Sequence, residues 1–296
     1  MDSDPKIEAG DLAIRAERLT KRYGQTLAAD GVDLAIARGE FFGLLGPNGA
    51  GKTSTIHMLS TLIRPSSGEA RVAGYAVRTQ ALAVRRRIGV VFQDPALDRT
   101  LSVGENLRFA GLLNNLSRTQ IRRRSGELLE LFGLSDQADR PVGALSGGAR
   151  RAVDIARGMI HQPQILFLDE PTIGLDLPNR RTIWRYIARL RAELGITVFL
   201  TTHYLEEALD CDQVAFINRG RIVRSGHPRA LIEELGRYIV EIETDNPAAL
   251  AQQLARRLGP SLIEADRVHF RCDSEPADVG ALQTELATSA RAVRWR

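Results

Sequence analysis

The chain has 296 residues, of which 44% are hydrophobic and 26% are charged, with a formal net charge of +4. This composition is typical of a globular protein with one large and one small domain, and it excludes fibrous and disordered classes. No apolar run approaches the roughly 18 to 20 residues of a spanning helix. The acidic segment 1–10 lacks the apolar block of a secretory signal. Because the basic residues are scattered, they indicate solvated helix faces rather than a nucleic-acid interface.

Two cysteines, Cys211 and Cys272, are far apart and have no partner at metal-ligand spacing. This usage favours a reducing cytoplasm over a disulfide framework.

The first elements predict a strand, a glycine loop and a helix. Val32, Leu34 and Ile36 alternate with polar residues, and the apolar run 41–45 ends in glycines. Helical spacing follows from Thr55 to Ile63, and we expect that helix to continue until the residue before Pro65.

The middle of the chain predicts a helical insertion and then buried strands. Residues 100–162 contain two capping-box patterns, Ser102 with Glu105 and Ser117 with Gln120, each ahead of an apolar periodic stretch. The short apolar runs 165–168 and 197–200 are separated by a helical pattern. Such runs are typical of parallel strands joined by a crossover helix.

The pattern of apolar and polar residues changes over the last 60 or so residues. Strands are predicted at 238–243, 262–265, 268–271 and 293–295, with helices at 247–258 and 277–286. This βαββαβ order predicts a small ferredoxin-like α+β domain.

A phosphate-binding loop stands between the first buried strand and the helix after it. Its residues match G-x-x-x-x-G-K-[ST] and are Gly46, Pro47, Asn48, Gly49, Ala50, Gly51, Lys52 and Thr53. The glycines let backbone N–H groups point into one concavity at a helix N-terminus, which predicts a bound polyphosphate. The alternative is a glycine turn that only links strand to helix.

Lys52 and Thr53 are the loop residues with chemistry of their own. Only Lys6, Lys21 and Lys52 are lysines among the 40 basic residues, so a lysine in the loop indicates a need for a compact ammonium. We expect Lys52 to reach the β and γ phosphates and the Thr53 hydroxyl to bind Mg²⁺.

Asp169 and Glu170 follow the apolar run 165–168, at a strand end where open α/β sheets bind ligands. Because successive side chains diverge, Asp169 is suited to hold Mg²⁺ through water, and Glu170 to accept a proton from the water that attacks the γ phosphate. The alternative is an acidic turn without a catalytic role.

Two further polar residues follow predicted strands. His203 comes after the run 197–202 and is expected to hydrogen-bond a γ-phosphate oxygen, although a lone histidine is more often structural. Gln93 comes after 89–92, where its amide is expected to contact Mg²⁺ and the attacking water.

A second glycine motif, Leu145 to Gly148, precedes another predicted helix, so Ser146 and the amides of Gly147 and Gly148 form a second anion-binding N-terminus. One nucleotide does not need two such cradles. We therefore expect this face to serve an ATP held by a second copy of the chain.

With these motifs in order, the chain resembles the ATP-binding subunits of ABC transporters over roughly residues 12–235. The resemblance makes 46–53 the Walker A loop with Ser54 beside it, Gln93 the Q-loop glutamine and 145–148 the signature. It likewise makes Asp169 and Glu170 the Walker B pair and His203 the switch histidine. Tyr23 is similar to the aromatic residue that stacks on adenine, and Asp176 to the D-loop aspartate.

The resemblance also implies a fold, a set of domains and partners. It implies a P-loop NTPase of α/β class with an antiparallel β subdomain and a helical signature subdomain at about 95–162. The ferredoxin-like α+β appendix predicted above from its strand and helix order follows this domain. The expected domains are a tail at 1–11, the ATPase domain at 12–235 and the appendix at 236–296. It further implies ATP and Mg²⁺ as cofactors, a head-to-tail dimer, a separate permease that docks on 93–109, and a place at the cytoplasmic face of the membrane.

Segments 91–116 and 169–184 most resemble the ABC-2 group of drug-resistance and nodulation-type exporters. The chain departs from the usual signature at Ala149, where glutamine or methionine is more typical, and at Ala152 in place of a basic residue. These departures put rate and ribose contacts in doubt more than hydrolysis itself.

Two other functions remain open from the sequence. A soluble ABC ATPase that acts on DNA or ribosomes is disfavoured, because the chain has one ATP module and no heptad insertion. A subunit that binds ATP without hydrolysing it is disfavoured by Glu170 and His203.

Overall fold

The computed structural model describes residues 11–234, 238–258, 261–272 and 292–295. Within them the chain divides into two compact units, and the boundary in the sequence falls between Gly226 and His227. This division precedes the expected domain boundary at residue 235, which stays a prediction. Most of the predicted tail and the predicted helix at 277–286 lie outside the described residues.

The first unit contains two sheets, seven α-helices and two short 3-10 helices among its described residues. In chain order the elements are β1 (Leu12–Tyr23), β2 (Thr26–Ala37), β3 (Phe41–Leu45), α1 (Lys52–Leu59), β4 (Ser67–Val72), β5 (Tyr75–Ala76), α2 (Ala81–Arg85), β6 (Ile88–Val91), α3 (Val103–Leu113), α4 (Arg118–Leu131), α5 (Gly147–Met159), β7 (Ile165–Asp169), α6 (Leu177–Leu194), β8 (Thr197–Thr202), α7 (Leu205–Ala208), β9 (Gln213–Asn218) and β10 (Arg221–Gly226).

An antiparallel sheet in the order β2-β1-β4-β5 covers one side of this unit. Val32, Leu34 and Ile36 of β2 are buried, as their alternation predicted. Helix α1 contacts β2 and β4 of this sheet and β7 of the second sheet. One hydrophobic core therefore joins the two sheets around α1.

The second sheet has the order β10-β9-β3-β8-β7-β6. The strands from β9 to β6 are parallel, and β10 pairs antiparallel with β9. Every residue of β3 and β7 is buried, in agreement with their continuous apolar runs. The carboxyl ends of β3, β6, β7 and β8 lie at one edge, where the loops with the candidate site residues begin.

The expected continuation of α1 to Pro65 is wrong, because the helix ends at Leu59. Thr61 has a positive φ of 64°, and the amides of Leu62 and Ile63 turn back to the carbonyl of His57. This C-terminal turn gives the His57 carbonyl partners that it would otherwise lack, so the helix stops six residues before the proline.

The predicted helical insertion is confirmed as α3, α4 and α5. Ser102 caps α3 and Ser117 caps α4, and both capping boxes are complete, with Glu105 and Gln120 as the reciprocal partners. The capping-box pattern, a serine followed three residues later by glutamate or glutamine, therefore located both helix starts in the sequence.

The second unit is an α+β domain. Its described elements are α8 (Pro228–Glu234), β11 (Tyr238–Glu243), α9 (Pro247–Leu258), β12 (Ser261–Glu264), β13 (Arg267–Cys272) and β14 (Ala292–Trp295). The sheet order β12-β13-β11-β14 with antiparallel pairing is that expected of a ferredoxin-like βαββαβ unit. Val240, Ile242, Leu250, Leu254 and Phe270 belong to its core.

In the described ranges, no helix has the length and hydropathy needed to cross a membrane.

Candidate functional site

The loop after β3 requires glycine at two positions for steric reasons. A Cβ on Gly46 would lie 2.2 Å from the carbonyl oxygen of Ile217, and one on Gly51 would lie 2.2 Å from that of Ala28. Gly51 also has a φ of +108° and forms the N-cap of α1. The loop is thus packed against neighbouring backbone and leads directly into the positive end of a helix.

The Lys52 ammonium lies within this loop. The side chain is 4% exposed, and Nζ donates hydrogen bonds to the carbonyls of Gly46 at 2.7 Å and Pro47 at 3.2 Å. Nζ is also 3.1 Å from Oε1 of Glu170. The loop therefore holds a buried cation at a helix N-terminus, which fits the negative charge of a polyphosphate.

Asp169 and Glu170 diverge from the end of β7 as the sequence predicted. Oδ1 of Asp169 accepts hydrogen bonds from the hydroxyls of Thr53 at 3.4 Å and Thr201 at 2.5 Å. Glu170 contacts Lys52 through Oε1 and His203 through Oε2, the latter at 3.2 Å from Nδ1. The two carboxylates consequently have separate sets of partners.

Glu170 has a left-handed backbone, with a φ of +45°. Its amide donates to the carbonyl of Thr201 at 3.2 Å and to the Thr201 hydroxyl at 3.1 Å. Because such a conformation is costly for a residue with a side chain, the surrounding hydrogen bonds must hold it.

Side-chain contacts pair Lys52 and His203 with Glu170, and Thr53 with Asp169. The contacts described for the side chains of the other predicted residues do not include a bond to these groups. Gln93 lies two residues after β6 and is exposed. Tyr23, at the end of β1, is 48% exposed. Among the other loop and helix positions, Ala50 is buried, Ser54 is half-buried, and Pro47, Asn48 and Gly49 are exposed.

The second glycine motif lies beside the predicted D-loop of the same chain. Ser146 caps α5 by accepting from the amide of Ala149 at 3.2 Å, and Asp176 caps α6 by accepting from the amide of Asn179 at 2.9 Å. A Cβ on Gly148 would lie 2.1 Å from Oδ1 of Asn179, so the two helix starts approach each other closely. Both caps are exposed and are available to a molecule outside this chain.

Sequence reasoning missed three residues that support the site. Thr201 binds both Asp169 and the Glu170 backbone, as described above. The buried carboxylate of Glu207 accepts from the hydroxyl of Thr202 at 2.6 Å and from the hydroxyl of Thr172, which joins the turn after β7 to the end of β8. The guanidinium of Arg151 contacts the ends of β6 and β7. A polar residue directly after an apolar run was the available signal for Thr201, whereas the sequence around Glu207 and Arg151 has no such signal.

The fold and site define a P-loop NTPase with an ATP-binding-cassette architecture. Residues 29–173 match the family described as ABC transporter.

Curated proteins that are similar in sequence are also ATP-binding proteins of this kind. The chain is 42% identical over 278 residues to the daunorubicin resistance ATP-binding protein DrrA2 of Streptomyces coeruleorubidus, covering 93% of this chain and 86% of that protein. It is 43% identical over 244 residues to the Nod factor export ATP-binding protein I of Ralstonia nicotianae, covering 82% and 76% respectively.

Solved structures give the same result. CbiO1 of Clostridium perfringens, part of the ABC transporter complex cbiONQ, is similar with a TM-score of 0.70 at 30% identity, covering 84% of this chain and 96% of that chain. A dimeric ATP-binding cassette in a post-hydrolysis state, bound to ADP and phosphate, is similar with a TM-score of 0.66 at 28% identity, covering 73% and 99%. The chain belongs to the ABC transporter family and is an ATP-binding ATPase subunit of it.

Proposed function

We propose that this protein hydrolyses ATP to power export through a separate membrane permease of the ABC-2 type. The observation that carries the hydrolytic part is the placement of Glu170 between Lys52 of the phosphate loop and His203, beside the Thr53–Asp169 pair. A carboxylate flanked by a phosphate-binding cation and a histidine is suited to activate a water next to the terminal phosphate.

In this proposal the phosphate loop 46–53, with Ser54, binds the phosphates and Tyr23 stacks on adenine. Thr53, Asp169 and Gln93 hold Mg²⁺, which when bound neutralises charge on the phosphates. Hydroxyl, amide and carboxylate oxygens fit that ion, since it takes few protein ligands and prefers oxygen donors. Glu170 accepts the proton of the attacking water, and His203 hydrogen-bonds a γ-phosphate oxygen.

We assign Ser146, Gly147, Gly148 and Asp176 to the ATP held by a second copy of the chain. Two helix starts at one exposed face support this role. Each cap accepts from one N–H group, so other N–H groups of the first turn remain to attract phosphate. The dimeric cassette with ADP and phosphate supports a pair of such subunits, and we propose that the pair is head to tail.

We place the permease on the segment 93–109 and assign the subunit to the cytoplasmic face of the membrane. Phe109 is 59% exposed, and Leu112 and Leu113 farther along α3 are exposed as well. Neighbouring exposed apolar side chains on one helix support a docking surface. The direction of transport is inferred from the daunorubicin resistance and Nod factor export relatives.

The alternative function is an ABC ATPase that acts on DNA or ribosomes. It predicts that nucleic acid stimulates hydrolysis, whereas the hydrolysis rate of a transporter subunit should respond to its membrane partner. A neighbouring reading frame that encodes a hydrophobic protein of about six spans would favour the exporter, and a neighbouring periplasmic binding protein would favour import.

The test of hydrolysis is the substitution Glu170→Gln. We expect steady-state hydrolysis of Mg-ATP to fall by about 100-fold or more, because general-base catalysis contributes on that order. ATP binding should persist, and an ATP-bound dimer should accumulate in size-exclusion chromatography with light scattering.

Glu206→Gln is the matched control, since Glu206 is an exposed glutamate on α7 outside the site. It should hydrolyse ATP at the wild-type rate. Hydrolysis by Glu170→Gln equal to that of Glu206→Gln would remove Glu170 from its role as base.

A further inference from the structure

Arg151 of α5 is a buried arginine whose side chain contacts two loops of the site. It is 4% exposed. Its Nε donates to the carbonyl of Pro171 at 2.7 Å, and Nη2 donates to those of Asp169 at 3.2 Å and Glu170 at 3.3 Å. Its Nη1 donates to the carbonyls of Phe92 at 2.5 Å and Gln93 at 3.4 Å. One guanidinium thereby joins the residues after β6 to those at the end of β7.

This placement costs free energy, because a guanidinium loses its hydration when it is buried. Burial lowers the pKa of Arg151, while the nearby carboxylates of Asp154, Asp169 and Asp94 act in the opposite direction. The carboxylate of Asp154 lies 3.5 Å from Nη1. An apolar side chain here would leave several buried carbonyls without a donor, so the main chain around the site depends on this residue.

The dependence is strongest at Glu170, whose backbone is left-handed. Thr201 binds the Glu170 amide on one side, and Arg151 binds the Glu170 carbonyl on the other. Together they hold the peptide groups that determine where the Glu170 carboxylate points. Loss of either partner would allow the backbone to relax away from its strained conformation.

We propose that Arg151 is a positioning residue that sets the Glu170 carboxylate and the Gln93 side chain by holding their main chain. It links the tilt of α5 to the geometry of the hydrolytic site. Arg151 is five residues after Ser146, or about 7.5 Å along the helix axis. An anion bound at Ser146 would therefore act on the Glu170 backbone through less than two turns of one helix. The proposal rests on the proposed function, which makes Glu170 the base.

The experiment compares Arg151→Met and Arg151→Lys with Arg157→Met as a matched control. Arg157 is on the same helix and pairs with the same Asp154, but the bonds described for it go to that aspartate and not to the site loops. The measurements are the Kd for ATP without Mg²⁺, kcat per ATP-binding site, and hydrogen exchange of segments 92–94 and 169–172.

For Arg151→Met we expect an unchanged Kd within about twofold and a kcat lowered about 10- to 100-fold, since small displacements of catalytic groups cost rate on that scale. Arg151→Lys should lie between Met and wild type, because an ammonium cannot reach the same set of carbonyls. Exchange in both segments should become faster in these variants, and Arg157→Met should match wild type in Kd and kcat.

Several results would overturn the proposal. One is a wild-type kcat and wild-type exchange in either folded Arg151 variant. In Arg151→Lys this result would show that the charge beside Asp154 is sufficient and that the set of carbonyl bonds is not needed. A second is a rise in the Kd for ATP in parallel with the fall in kcat, which would indicate that the whole site is disrupted. A third is failure of both variants to fold while Arg157→Met folds. If wild-type protein bound ATP without hydrolysing it, the proposed function would fail, and the exchange measurement would still decide the role of Arg151.

Discussion

At the scale of single residues, the hydrolytic carboxylates depend on a threonine. The Thr201 hydroxyl donates to Asp169 and accepts from the Glu170 amide, and Thr201 is fully buried. Its register in the sheet explains this, because Thr201 of β8 pairs directly with Asp169 of β7. A strand with an apolar centre at 198–200 thus has a hydroxyl at the position where the neighbouring strand ends in a carboxylate.

We predict that Thr201→Val lowers kcat about tenfold or more while it leaves ATP binding nearly intact. The free energy of unfolding should fall by about 1–3 kcal/mol, because a buried amide and a carboxylate oxygen lose a partner. Steady-state hydrolysis and urea unfolding measure the two effects.

Thr197→Val is the control on the same strand. Its buried hydroxyl accepts from the Gly39 amide at 2.9 Å, at the end of β8 away from the site. It should lose stability without losing kcat. Equal rates for the two variants would show that Thr201 has no particular role in placing Asp169 and Glu170.

At the scale of elements, the helical insertion depends on its caps. Helix α4 buries Ile121, Leu128, Leu129 and Leu131 and exposes most of its first turn. An amphipathic helix with a largely exposed start has few tertiary contacts there, so its first N–H groups depend on Ser117. The complete capping box with Gln120 meets that need.

We predict that Ser117→Ala lowers the free energy of unfolding by about 1 kcal/mol. Thr119→Ala, an exposed substitution in the first turn of the same helix, should change it by less than about 0.5 kcal/mol. Both should hydrolyse ATP like wild type. Equal stability of the two variants in urea unfolding would contradict a contribution from the cap.

At the scale of the whole molecule, the two sheets of the first unit form one core, so a partly buried titratable group packed against that unit affects its stability. His161 follows α5, and its Nε2 is 2.9 Å from the carbonyl of Ile88 on β6. Its Nδ1 is buried without a partner among the described residues. Burial, and then the charge of Arg124, lowers the pKa of His161 below its ordinary value.

We predict a loss of stability in mild acid that depends on His161. Above its unfolded pKa of about 6.5 the ring is neutral in both states, so its contribution is fully present. As the pH falls below that value the unfolded chain binds the proton first, and the free energy of unfolding decreases by at most about 1.4 kcal/mol per pH unit. His161→Gln should show a smaller decrease between pH 7.5 and 5.5 in urea unfolding. An identical decrease would exclude His161 as the source.

Local signals in the sequence located the parts of the site that each depend on a short segment. The loop at 46–53, the strand ending in Asp169 and Glu170, and the caps Ser102 and Ser117 require only neighbouring residues, and the structure has them where they were predicted. The end of α1 was misjudged, because a left-handed Thr61 and not the proline stops the helix. The predicted roles of Tyr23, Gln93 and Asp176 remain predictions.

The amino-acid sequence by itself determined the class of this protein, because phosphate binding by a glycine loop and carboxylate chemistry at a strand end are encoded in contiguous residues. Only the tertiary structure decided which distant side chains support that chemistry. Most of the contacts described for Thr201, Glu207 and Arg151 join residues that are 18 to 59 positions apart in the sequence. The contacts of Arg151 with the site are made to main-chain carbonyls. Backbone acceptors have no signature in the sequence, so a buried arginine acquires its role only when strand order brings β6, β7 and α5 together.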